Sequence, residues 1–122
     1  MSLTALCLVA AGGALGSVAR ALLGWAVPAG RLPWGTILVN ILGSLLIGWL
    51  FSRFGPLTAA NVRASGFWIV GFCGGFTTFS AFSLQTFEQM QRGDWPAAVA
   101  NVLLSVALCL FATWAGVRLG RA

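Results

Sequence analysis

The residues best placed to do chemistry form one string, Gly71-Phe72-Cys73-Gly74-Gly75-Phe76-Thr77-Thr78-Phe79-Ser80-Ala81-Phe82-Ser83. Paired glycines followed by two β-branched threonines are poor helix formers. Inside a long apolar segment they predict an interrupted helix. Irregular backbone is tolerated at membrane depth only where protein or a water-filled cavity surrounds it. Its freed carbonyls can then coordinate a cation, and glycine lets the main chain come close to an ion. Just beyond stand Phe79 and Phe82, at i and i+3 on one helix face. An aromatic ring has a negative face and a positive edge, so two ring edges can attract an anion without any formal charge. A weak site of that kind suits conduction, because the ion must also leave. The plainer reading makes both rings core residues.

Three further segments carry polar groups in apolar surroundings. Asn40 is the one strong polar group of its helix, with Gly43 and Ser44 about a turn on. It reads as a pore-lining donor and acceptor, or as a hydrogen bond between helices. Gly12, Gly16, Arg20 and Gly24 repeat at steps of four and share a face. The glycines read as a close helix contact. A charge inside a span is functional by default, so Arg20 lines a vestibule or makes structural hydrogen bonds, unless it snorkels to the head groups. Asn101, Ser105, Cys109 and Thr113, with Gly116, form a mildly polar stripe, either an ion track or helix packing.

These groups must be carried by membrane helices. The 122 residues are 59% hydrophobic and 7% charged, against roughly 25% charged in a soluble domain. A spanning helix needs about 20 mostly apolar residues. Four segments qualify, roughly 3–27, 35–52, 66–87 and 96–117, in a single all-α transmembrane domain covering 1–122. Pro28, Gly30, Pro33 and Gly55-Pro56 punctuate the loops, and Pro96 suits the first turn of the fourth helix. The loops are too short for a soluble catalytic domain.

Four spans put both termini on one side. That side carries Arg53, Arg63, Arg118 and Arg121; the other carries Arg31 and Arg92, plus Arg20 if it snorkels that way. Orientation follows an excess of Lys and Arg, and here the excess is one residue. So small an excess fits insertion both ways up, which allows antiparallel dimers, or a single orientation set by a slight bias. The net charge of +5 comes from scattered arginines without a basic cluster, so no nucleic-acid partner is expected. Cys7, Cys73 and Cys109 lack metal-ligand spacing and read as buried thiols.

Other functions lack their residues. Proton-coupled carriers place an acid or histidine within the membrane, but Glu88 and Asp94 flank a loop and histidine is absent. A small multidrug-resistance-type exporter, the alternative four-helix reading, needs a glutamate in the first helix, which holds no acid. No nucleophile–base pair or phosphate loop is present, so the chain is not expected to be an enzyme.

The string Gly71 to Ser83 resembles the signature of the Fluc, or CrcB-type, fluoride channels. Gly12-Gly13-Ala14-Leu15-Gly16-Ser17-Val18-Ala19-Arg20 resembles that family's first-helix motif, and Gly35-Thr36 with Val39-Asn40 and Gly43 its second. The resemblance spans essentially the whole chain. It implies a passive fluoride-selective channel of the bacterial inner membrane that lowers cytoplasmic fluoride, built as an antiparallel dual-topology homodimer in membrane lipid. It further implies a structural sodium ion at the dimer centre, held by the main-chain carbonyls of Gly74 and Thr77. Phe79 and Phe82 match its pore phenylalanines, Asn40 its pore asparagine and Ser105 a position of its polar track. Cys109 stands where relatives usually carry a hydroxyl, and Asn101 where some carry an aromatic hydroxyl.

Overall fold

In the computed structural model, which describes all residues from Met1 to Ala122, the chain is helical throughout. Helix α1 spans Leu3–Ala26 and α2 spans Trp34–Phe54. The third span, Val62–Gln91, is composite: α3 (Val62–Ser65), a π-helical segment (Gly66–Cys73), α4 (Gly74–Phe76) and α5 (Phe79–Gln91). Helix α6 runs from Trp95 to Arg121, beyond the expected end. Thus four helical spans of 24, 21, 30 and 27 residues are long and apolar enough to cross a bilayer. At 1.5 Å per residue even the shortest reaches about 30 Å, the thickness of the hydrocarbon core.

Local chemistry sets the boundaries. The Ser2 hydroxyl caps α1 by accepting from the Ala5 N–H at 3.2 Å. The extended Val27 before Pro28 ends it. Gly55 closes α2 at φ +70°, a conformation that favours glycine. Asn61 then ties the following loop, donating to Phe54 O and Pro56 O and accepting from the Thr58 N–H. The Asp94 carboxylate caps α6, with Pro96 in its first turn.

The helices meet in two glycine-mediated pairs. Gly12 and Gly16 of α1 press on the main chain at Phe67 and Phe72, and Gly75 lies on Gly13. Gly48 of α2 faces Thr113 O, while Gly116 and Gly120 of α6 face Leu45 and Trp49. With no hydrophobic drive between helices in lipid, this close approach supplies the packing. A side chain at Gly16 would collide with Phe72 O, which is main chain and cannot swing away. Gly16→Val is therefore expected to cost about 1–3 kcal/mol, the range for overpacking, read as a lower melting temperature in detergent.

Only 23 of the 122 residues are buried, and large apolar side chains such as Leu3, Leu22, Leu103 and Phe111 face outward. That surface requires lipid or another chain to cover it. The tryptophans fall into two belts. Trp49, Trp68 and Trp114 mark the end that holds the termini, and Trp25, Trp34 and Trp95 mark the other. Indoles at both levels are the signature of membrane–water boundaries.

Candidate functional site

The third span is interrupted by threonine, not glycine. Gly74 keeps helical angles (φ −63°, ψ −38°). Thr77 (φ −81°, ψ 159°) and Thr78 (φ −150°, ψ 114°) are extended. The two threonine hydroxyls act differently, since Cys73 O already accepts from the Thr77 N–H at 3.0 Å. Thr77 Oγ1 donates to Cys73 O at 2.8 Å. Thr78 Oγ1 accepts from the Ala81 N–H at 3.2 Å and so caps α5.

Asn40 holds the interruption open. Its Oδ1 accepts from the Thr78 N–H at 2.7 Å and its Nδ2 donates to Thr78 O at 3.0 Å. One amide thus satisfies both main-chain groups of the residue that leaves the helix. The Thr78 N–H would otherwise bond Gly74 O, four residues back. Thr77 O receives no hydrogen bond from the chain. A carbonyl without a partner at membrane depth is costly unless water, an ion or another chain supplies one. The sequence identified Asn40 as polar and placed; its grip on Thr78 was not legible there.

Asn40, Gly74, Thr77, Phe79, Phe82 and Ser105 converge on one cavity of about 460 Å³. The rings of Phe79 and Phe82 lie 5.3 Å apart, tilted by 51°. Phe82 is half-buried, whereas Phe79 is 79% exposed. Gly74 is also exposed, and a Cβ there would meet nothing.

A hydrogen-bonded chain leads from the cavity toward the end with the α5–α6 loop. Ser105 Oγ donates to Asn101 Oδ1 at 3.2 Å, and Asn101 Nδ2 donates to Thr86 Oγ1 at 2.9 Å. Thr86 in turn donates to Phe82 O at 2.7 Å. Asn101 is completely buried, so this pairing removes an otherwise large desolvation cost. Thr86 was not anticipated. Its spacing of four from Phe82 was the available signal. The lower half of the stripe behaves differently, because Thr113 Oγ1 turns back to Cys109 O on its own helix.

Arg20 stands apart from this group. It is half-buried and lines a smaller cavity of about 250 Å³ with Ser17, Thr36 and Thr78. The two cavities share Thr78.

A loop clamp sits beyond the membrane on the Trp95 side. Arg31 Nε and Nη2 donate to the Asp94 carboxylate at 2.9 and 2.7 Å, a two-point ion pair. Gln89 Nε2 adds a bond to Arg31 O at 3.1 Å. The hydrogen bonds from Arg31 hold the Asp94 carboxyl below the usual carboxylate range, and the same contact raises the guanidinium. A depressed carboxyl stabilises the fold above its unfolded pKa and stops doing so as pH falls through its folded one. The melting temperature should therefore drop as pH falls below about 4, the ordinary aspartate range. Asp94→Asn should flatten that acid limb.

The family description "CrcB-like protein, Camphor Resistance (CrcB)" matches residues 7–117. The chain belongs to the CrcB-like family. The Fluoride-specific ion channel FluC of Nitrobacter winogradskyi is 45% identical to this CrcB-like chain, over 99% of its length and 98% of the relative's. The FluC of Paramagnetospirillum magneticum is 47% identical over 89% of each chain. That of Geobacter sulfurreducens is 44% identical over 98% of each. These relatives are named as ion channels, not as enzymes. With its four apolar spans, the CrcB-like chain is a multi-pass membrane protein.

Proposed function

We propose that the protein is a passive fluoride channel that lowers cytoplasmic fluoride. The observation that carries this reading is the Asn40-pinned interruption, which brings Thr77, whose carbonyl has no partner in the chain, and two phenylalanines to line one cavity. The names of relatives more than 40% identical over nearly the whole chain support the choice of ion.

The working unit is an antiparallel homodimer. Its support is the near-even arginine tally and an unfinished surface: Phe79, Gly74 and the open side of the main cavity lack a covering element within one copy. Phe79 and Phe82 offer ring edges to a small anion, while the Asn40 amide and the Ser105 hydroxyl line its way. A sodium ion fits beside them. Thr77 O is free, Gly74 O has lost its helical donor to Asn40, and neutral carbonyls suit a hard monovalent cation. Held by those two residues from each copy, the ion supplies a positive field for nearby anions.

Purified protein in liposomes should release fluoride but not chloride, as read by ion-selective electrodes. Phe82→Ile, which keeps an apolar side chain and removes the ring edge, should lower fluoride flux at least about tenfold, a barrier increase of ~1.4 kcal/mol. Equal fluoride and chloride release, or full flux in Phe82→Ile and Phe79→Ile alike, would reject the assignment.

A further inference from the structure

The two ends of the chain carry similar numbers of arginines but very different net charge. Beyond the belt of Trp49, Trp68 and Trp114 lie Arg53, Arg63, Arg118 and Arg121, all exposed, with no acidic side chain among them. Beyond the opposite belt, Arg31 and Arg92 are matched by Asp94 and Glu88, and the one salt bridge of the structure is there. Arg20 within α1 aside, the other six guanidiniums leave four uncompensated charges at one end and none at the other loop surface.

The fold also draws the basic residues together. Gly120 of α6 rests on Ser52 and Trp49 of α2, so the last turns of the two helices adjoin. Arg53 ends one and Arg118 and Arg121 end the other. Arg118 Cζ lies 5.6 Å from the Trp114 ring, which orients its guanidinium at the depth of the indole belt. Planar guanidinium forks suit phosphate oxygens. At that depth the available phosphates are those of lipid head groups.

We infer that this end is a binding surface for anionic phospholipid, with Arg53, Arg118 and Arg121 taking the phosphodiester of a phosphatidylglycerol-type head group. Soluble anions are not its ligand, because the groups flank the indole belt and do not enclose a pocket. In an antiparallel pair, one such surface would face each leaflet.

Native mass spectrometry of the purified protein, titrated with phosphatidylglycerol or phosphatidylcholine of equal chain length, tests this without reference to fluoride. The protein should retain phosphatidylglycerol in preference. Each arginine removed should weaken that preference about fivefold, the order expected for a basic side chain at an anionic surface. Arg53→Gln/Arg118→Gln/Arg121→Gln should abolish the preference, whereas Arg31→Gln/Arg92→Gln at the other end should retain it. If the triple glutamine variant does not fold, Arg118→Gln alone carries the test, and the triple lysine variant should keep most of the preference. Equal retention of both lipids by the native protein would overturn the proposal. So would an undiminished preference in the glutamine variants, or displacement of the lipid by millimolar inorganic phosphate.

Discussion

Asn40→Leu is expected to abolish fluoride flux and to lower the melting temperature more than any other single substitution at the cavity. Leucine matches the shape of asparagine but neither accepts from the Thr78 N–H nor donates to Thr78 O. Both main-chain groups would be left unpaired at membrane depth, at about 1–3 kcal/mol each. The chain has one escape, which is to restore the helical bond from Thr78 to Gly74. That would straighten the span and remove the extended Thr77-Thr78 backbone from the cavity wall. The expected outcome is thus a variant that still inserts, conducts nothing and unfolds several degrees early. Paired measurements of liposome efflux and thermal melting decide the matter. Native values for both would mean that the amide does not maintain the interruption.

The second large effect is expected at Gly43. An added Cβ there would collide with Thr77 Cγ2 and press on Phe76 Cδ1 at 3.3 Å. Thr77 is the first extended residue of the interruption, so the strain falls on the backbone that shapes the cavity. Gly43→Ala should cost roughly 1–3 kcal/mol, typical of overpacking, with loss of flux. The remedy is specific. Thr77→Ser deletes the colliding methyl and keeps the hydroxyl that donates to Cys73 O. In the Gly43→Ala background it should recover most of the flux and stability, with a coupling of about 1 kcal/mol or more in a double-mutant cycle. Simple additivity of the two substitutions would remove the contact from the explanation.

Much of the architecture was legible because lipid imposes strict rules. Runs of apolar residues divided by Pro28, Gly30, Pro33 and Gly55-Pro56 foretell four spans, since only a helix satisfies its own backbone in hydrocarbon. The interruption was legible too, but its mechanism was not. Propensity pointed to Gly74-Gly75 and Thr77-Thr78 together; only the threonines leave the helix, and Gly75 instead allows contact with Gly13. The helix breaks after Thr77 because the Thr78 hydroxyl caps the next helix, and because Asn40, 38 residues away, supplies partners for both main-chain groups of Thr78. A partner that distant in sequence leaves no local trace. The polar stripe of the last helix was likewise visible as spacing. Its split into a relay through Asn101 and a self-bonded half at Thr113 depends on Thr86, a residue on another helix. The π-helical segment had no recognisable signal.

The free carbonyl of Thr77 bears on assembly. Because Asn40 fixes the interruption from within one polypeptide, a newly inserted copy already carries the kink before it meets anything else. Its Thr77 oxygen is then without a donor from its own chain, which at membrane depth is costly until water, an ion or another chain supplies a partner. Whatever partners that oxygen relieves the penalty, and the fold fixes the depth at which the partner must sit. In the antiparallel pair proposed above, each copy would thus arrive with its interruption already shaped, and pairing would need no separate folding step at that site.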